Sequence, residues 1–316
     1  MPLSIEQYAA YLDTRNLAWP IAPPPVPAKA RAHLPRLAGI RAVLWNVYGT
    51  LIRISGGELK FELDDSLVFE IALEKTIHEF KMWNAMSRKP GQPSAYMREI
   101  YLKVLKEIQL LPSSGERYPE IASERIWESI VKKLFQKEYQ FDAGFYGSLN
   151  EFAKKIAFFF HSSLQGVSAY EHAGDAIKSL AEHGLVQGLL ADGQCFTYTQ
   201  LGRCLKLADE SFDIQSYIKQ NNCWISVDHK CRKPSENLFR SALRNLAELG
   251  IESTEVLHVG SNLSRDIAPA KKLGMHTALF AGDKNSLSAT VEQMKDPHYR
   301  PDVLLTELHG IAQVIG

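Results

Sequence analysis

The 316-residue chain has no apolar run approaching the ~18 residues that a membrane-spanning helix needs. Its N-terminus lacks a basic stretch followed by an apolar one, so no secretory signal is read there. Cysteine is scarce. Cys195, Cys204, Cys223 and Cys231 include no CxxC pair, which argues against a disulfide framework in a chain of this length and makes a reducing, cytoplasmic setting the expectation. Net charge is lacking as well: 36 Lys and Arg balance 36 Asp and Glu. With no basic stripe and no acidic tail, neither nucleic acid nor a membrane surface is an expected partner. No internal repeat is present. What remains is an ordinary globular composition, 45% hydrophobic and 23% charged, at a length that fits a main domain plus a second unit.

Ile5 to Leu12 reads as a short amphipathic helix with Ser4 as its N-cap. Pro20, Pro23, Pro24, Pro25 and Pro27 follow. That composition favours extended chain with no core of its own, so residues 1–40 are expected to form an arm. Its plain role is a surface lead-in, its sharper one a docking ligand for a protein partner. Arg41 to Val47 is a short apolar run ending in Tyr48-Gly49-Thr50, a buried strand that opens into a turn. From 59 to 164 the pattern is helical. Apolar spacing runs through Leu63, Leu67 and Ile71 and through Tyr101, Val104, Leu105 and Ile108, with breaks at Lys89-Pro90-Gly91 and at Pro112-Ser113-Ser114-Gly115.

Beyond Ala173 helices alternate with short apolar strands. Strands are expected over Leu185–Ala191, Cys223–Val227, Val256–Val259, His276–Phe280 and Val303–Leu305. Helices are expected over Asp175–Glu182, from about Phe196, over Glu236–Leu249 and over Arg265–Leu273. Such alternation predicts an α/β fold with a doubly wound, Rossmann-like parallel sheet. The helical block falls between the first strand and the rest, which makes it an inserted helical cap. The expected domains are a core of 41–58 plus 165–316 and a cap of 59–164.

Chemistry in a parallel sheet sits at the carboxyl ends of its strands. Those ends carry Asn46-Val47-Tyr48-Gly49-Thr50-Leu51, then Ala191-Asp192-Gly193, then Lys233-Pro234, then Gly260-Ser261-Asn262 with Arg265-Asp266. In order and placement these four sites resemble the haloacid-dehalogenase (HAD)-like hydrolase superfamily. Gly49, Thr50, Leu51, Lys233, Pro234, Gly260, Asp266, Ala270 and Gly274 fit its pattern over roughly residues 41–282. The resemblance implies an Asp nucleophile at position 46, an acid/base Asp at 48, and an anion-binding hydroxyl at 191. It also implies a Lys at 233, and an Mg²⁺ ion bridging the nucleophile, a backbone carbonyl and a fourth-motif Asp.

This chain departs from that set at four of its positions. Asn46 stands where the nucleophile belongs, and an amide is a far poorer nucleophile and metal ligand than a carboxylate. Tyr48 replaces the acid/base Asp, Ala191 the hydroxyl, and Ser261 the fourth-motif Asp. Tyr48 also resembles the metal-free dehalogenases, but the spacing from Ser261 to Asp266 is the phosphatase one, so Ser261 reads as a substituted Asp. Lys233 and Asp266 remain and are expected to pair. The candidate site is therefore Asn46, Tyr48, Thr50, Lys233 and Asp266, with Gly49, Ala191, Asp192, Ser261 and Asn262 lining a ligand pocket.

No cofactor is expected, and Mg²⁺ should bind weakly or not at all. Asp192 and Asp228 are given capping or turn roles, with replacement acids as the alternative. Cys223, His229 and Cys231 fall short of a zinc site. Arg88 and Arg98 are read as solvated surface, with an anionic ligand as the alternative. Three functions fit: a catalytically degenerate protein binding a small anion or a protein partner, an active hydrolase with altered chemistry, and a structural or interaction protein.

Overall fold

A computed structural model describes residues 1–86, 91–111 and 115–315. Two compact units divide the chain. One comprises Met1–Ile21, Leu59–Gly115 and Ile121–Gly166. The other comprises Ala22–Glu58, Glu116–Glu120 and Val167–Gly316.

The first unit is helical: α1 (Ile5–Asp13), α2 (Ser66–Glu79), α3 (Pro93–Gln109), α4 (Ser123–Phe135), the single turn α5 (Ala143–Tyr146) and α6 (Leu149–Leu164). Ser4 closes a capping box with Gln7 on α1, and Ser148 does the same with Glu151 on α6. The core is aromatic. Phe69, Tyr101, Trp127 and Phe160 are fully buried, with Phe160 lying 6.0, 5.0 and 5.2 Å from the other three ring centroids. The phase of α2 differs from the sequence expectation. Leu67 and Ile71 are 65% and 43% exposed, while Phe69, Ala72, Leu73, Thr76 and Ile77 face inward. The inward stripe includes Ala and Thr, which hydrophobicity alone ranks below Leu and Ile. The breaks around Lys89 and Ser113, and Arg88 with them, lie outside the described residues. Arg98 sits 3.9 Å from Glu70.

The second unit holds β1 (Ala42–Trp45), β2 (Ile52–Ile54), β3 (Val167–Ala169), α7 (Ala173–Glu182), β4 (Val186–Ala191), α8 (Thr197–Ala208), β5 (Cys223–Ile225), α9 (Ser226–His229), α10 (Glu236–Glu248), β6 (Val256–Gly260), α11 (Ala268–Lys272), β7 (His276–Phe280), α12 (Val291–Lys295) and β8 (Val303–Leu305). Six strands form one parallel sheet in the order β5-β4-β1-β6-β7-β8. The central β1 is wholly buried, as its unbroken Ala-Val-Leu-Trp run demands of a strand covered on both faces. It pairs Trp45 with Leu189 of β4 and with Val259 of β6. The carboxyl ends of these three strands are thereby brought level.

Three local differences from the sequence expectation concern the site. β5 stops at Ile225, and Ser226 starts a helical turn instead of extending the strand. The helix expected from Arg265 begins as a π-helical turn over Leu263–Ile267 before α11. An antiparallel ribbon, β2 with β3, follows the Tyr48-Gly49-Thr50 turn; three-residue strands carry too little periodicity to be read in advance.

The N-terminal 40 residues do not act as one arm. Met1–Ile21 packs within the helical unit, where Tyr8 and Leu12 are buried. From Ala22 on, the chain belongs to the sheet unit. Val26 is held by Asp283 and Lys284, and His33 exchanges two backbone hydrogen bonds with Leu304 on the outer edge of β8. Covering that edge satisfies groups that an open strand would present to other chains. Among the described residues no helix is long and apolar enough to cross a membrane.

Candidate functional site

Asn46 follows β1 directly and is 7% exposed. Its Oδ1 accepts a 2.8 Å hydrogen bond from Lys233 Nζ, and its Nδ2 donates to the Tyr48 carbonyl at 2.7 Å and to Thr50 Oγ1 at 3.2 Å. The orientation of the amide is forced. An ammonium only donates, so the atom facing it must be the oxygen, and the amide nitrogen must face the carbonyl.

Lys233 is 3% exposed on the loop before α10. Its ammonium also donates to the Asp266 carboxylate and, at 3.5 Å, to the Leu190 carbonyl. Its three N–H groups thus have three acceptors. Asp266 Oδ2 accepts from the backbone N–H groups of Ser261 and Asn262, both at 3.0 Å. Burial alone would raise the carboxyl pKa of Asp266, but Lys233 and then His258 override it and hold it well below the usual range. His258, on β6, hydrogen-bonds through Nδ1 to the Leu44 carbonyl at 3.0 Å and turns Nε2 toward Asp266 at 3.7 Å. Its burial lowers its own pKa.

Tyr48 points into the sheet unit. Its hydroxyl donates to Gln200 Oε1 at 2.7 Å and lies 3.2 Å from Thr197 Oγ1. Burial raises its pKa, with Thr197 opposing, so the phenol stays neutral. Gly49 has φ +78°, and a Cβ there would lie 2.9 Å from both Gly57 O and Ser261 Oγ. Only glycine lets the turn after β1 pass this close to the fourth-motif loop. Ala191 ends β4 and contributes no side-chain donor. Asn262 caps the π-helical turn by accepting from Ser264 N and Arg265 N, both at 2.9 Å.

All ten candidate residues therefore lie at the carboxyl ends of one sheet or on the segments that follow them. Asn46, Thr50, Lys233, Asp266, Ser261 and Asn262 are joined directly, while the Tyr48 hydroxyl is engaged by Thr197 and Gln200. Sequence reasoning missed Arg265 and Glu58. The Arg265 guanidinium bridges Asp192 and Glu58, the latter at 2.8 Å. Although burial works against it, Asp192 and then Glu58 raise its pKa, so it is always charged. Asp192 also accepts from Lys233 N at 2.7 Å, a role in the site beyond capping. The clue available was Arg265 itself, a cation beside the fourth-motif acid; its two partners are distant in sequence.

The residues present do not suit the Mg²⁺ ion implied by the resemblance. The Tyr48 carbonyl, just after β1, already accepts an N–H of Asn46. Position 261 offers a hydroxyl and no carboxylate. Both Asp266 oxygens are engaged, one by an ammonium and the other by two amides. Mg²⁺ sites usually rely on one or two available carboxylates. Nor, among the described residues, does any group of three His, Cys, Asp or Glu side chains stand ready for a metal ion.

Comparison with known proteins agrees with this architecture. A family model described as HAD-hydrolase-like matches residues 230–311. A glyceraldehyde 3-phosphate phosphatase from Methanocaldococcus jannaschii is 25% identical over 146 residues, covering 46% of this chain and 56% of the relative. The match thus spans little more than half of that protein. A 2-haloacid dehalogenase from Pseudomonas syringae pv. Tomato DC3000 superimposes with a TM-score of 0.52 at 17% identity, over 87% of this chain and 97% of that one. The carboxyl-terminal sequence is thus similar to the HAD-like hydrolases, and the fold is the one seen in that 2-haloacid dehalogenase.

Proposed function

We propose that this chain has lost Asp-nucleophile chemistry and uses the same strand ends to bind a small, phosphate-bearing anion. The observation that carries the reading is the fixed orientation of Asn46. Its oxygen accepts from Lys233 and its nitrogen donates to the Tyr48 carbonyl, which leaves neither the amide oxygen nor that carbonyl free for a cation. Such a group neither attacks phosphorus nor recruits Mg²⁺.

Anion binding is supported by the turn after β1. Among the described residues, the buried N–H groups of Val47 and Tyr48 meet no hydrogen-bond acceptor. Orphaned buried N–H groups are costly, and successive backbone N–H groups of a turn can accept an oxyanion. Losing the carboxylates at 46 and 261 removes the charge that would repel it. The curated relative is named for acting on a phosphate ester, which makes phosphate the ligand chemistry proposed. In this reading the helical unit is the cap, Mg²⁺ binds weakly or not at all, and the four free cysteines fit a cytoplasmic location.

The test has two arms. The protein should show no Mg²⁺-dependent turnover of a generic aryl phosphate. Inorganic phosphate should raise its melting temperature, and Lys233→Ala should diminish that rise. Strong turnover, or a phosphate effect unchanged in Lys233→Ala, overturns the proposal.

A further inference from the structure

The helical unit contains a cavity of about 510 Å³ that the strand-end site does not use. One wall is a single face of α2: Ile71, Glu74, Lys75, His78 and Glu79 recur at helical spacing. The opposite wall is the Arg15–Trp19 stretch after α1. Phe159 of α6 forms a buried floor, with the Trp19 ring edge-on to it at 5.3 Å.

The charges in this cavity are not balanced. Glu79 is 5% exposed and already neutralised by Arg15, with a further hydrogen bond from Tyr8 Oη at 3.3 Å. Glu74 is 61% exposed and lies 3.9 Å from His78. Lys75 donates to a neutral group, the Ala18 carbonyl, at 2.6 Å. Among the described residues neither Lys75 nor Lys81 forms an ion pair. Arg15, Lys75 and Lys81 against Glu74 and Glu79 leave one positive charge in excess around a crevice lined by Trp19, Phe159 and the outward-facing Ile71. Its size lies within the roughly 300–1,000 Å³ of small-molecule sites, and it is too small for a partner helix, whose diameter is about 10–12 Å.

We propose that this cavity binds a small amphipathic organic anion, an aryl or alkyl group carrying one carboxylate or sulfonate. The apolar part lies against Trp19, Phe159 and Ile71, and the acid meets Lys75 and Lys81. Burying the apolar part provides affinity. The two ammonium groups select the sign of the headgroup. This inference is independent of the strand-end site.

The probe is 1-anilinonaphthalene-8-sulfonate, titrated by its fluorescence into the full chain. One saturable site per chain is expected. Decanoate should displace the dye, and decyltrimethylammonium, with the same tail and opposite charge, should not. Ile71→Glu and Lys81→Glu change exposed positions, so both variants should keep the wild-type circular dichroism spectrum; each should weaken dye binding at least tenfold. The proposal is overturned by absence of saturable binding, by wild-type affinity in either variant, or by equal displacement with the cationic competitor.

Discussion

Replacing Asn46 by Asp tests the reading of the strand-end site most directly. The substitution is nearly isosteric, yet it exchanges two N–H donors for a second oxygen. That oxygen would face the Tyr48 carbonyl at the present 2.7 Å, acceptor against acceptor. The Thr50 hydroxyl, now an acceptor at 3.2 Å, can rotate and donate, so that bond is recovered. The carbonyl cannot adapt, and a buried acceptor left without a partner costs about 1–3 kcal/mol. Lys233 offers attraction, but it already neutralises Asp266, and one ammonium would then serve two buried carboxylates. The expected net effect is a loss of about 1–3 kcal/mol in stability at pH 8, measured by urea denaturation. The loss should shrink at pH 5, where the new carboxyl, once protonated, can donate to the Tyr48 carbonyl as the amide does. The single variant should remain a poor aryl phosphatase because position 261 still lacks a metal carboxylate and position 48 an acid, general acid/base help alone being worth ~10²–10⁴-fold. Asn46→Asp, Tyr48→Asp, Ser261→Asp should exceed the single change by orders of magnitude in Mg²⁺-dependent turnover. Wild-type stability at pH 8, or full activity from the single change, would refute the reasoning.

Lys233→Met should cost about 3–5 kcal/mol in denaturation experiments, because it strands the buried Asp266 carboxylate; a neutral result would mean that the two backbone N–H groups suffice for that charge. Gly49→Ala should cost about 1–3 kcal/mol, since alanine at φ +78° is strained and its Cβ would collide with Gly57 O and Ser261 Oγ. Acid should weaken the fold through two buried imidazoles. Burial lowers the pKa of His258 and takes that of His161 down to about 3, so both resist protonation in the native state while the unfolded chain takes up protons below about 6.5. The stability they contribute is present above pH ~6.5 and lost as pH falls. At about 1.4 kcal/mol per unit, His161 alone should account for a loss of roughly 2 kcal/mol by pH 5, with His258 acting in the same direction, and equal stabilities at pH 7 and pH 5 would contradict this.

The sheet was legible in the sequence because its strands are buried on both faces and read as unbroken apolar runs, as in Ala42–Trp45. The pairing of Lys233 with Asp266 was legible because two opposite charges kept at matching strand ends must compensate each other. Other features are set by distant residues and left no local signal. Glu58 and Asp192 meet on Arg265 only after the sheet has formed. The Tyr48 hydroxyl finds Gln200 across 152 positions of sequence. The phase of α2 misled because Leu67 and Ile71 carry the hydrophobicity that the inward Ala72 and Thr76 lack.

The segment Glu116–Glu120 belongs to the sheet unit although its neighbours on both sides belong to the helical one. It runs beside the approach to Lys233: Arg232 N donates to the Tyr118 carbonyl at 2.8 Å, Glu120 N to the Lys230 carbonyl at 3.2 Å, and Ser235 Oγ to Glu116 at 3.0 Å. With this excursion the polypeptide passes from one unit to the other five times, at 21–22, 58–59, 115–116, 120–121 and 166–167. Neither unit is a single stretch of chain. A protease cutting at one passage would leave every piece tied through others, so a nicked protein should run whole under native conditions and separate only in denaturant. The same threading means that neither unit can be excised, duplicated or exchanged as one uninterrupted coding segment.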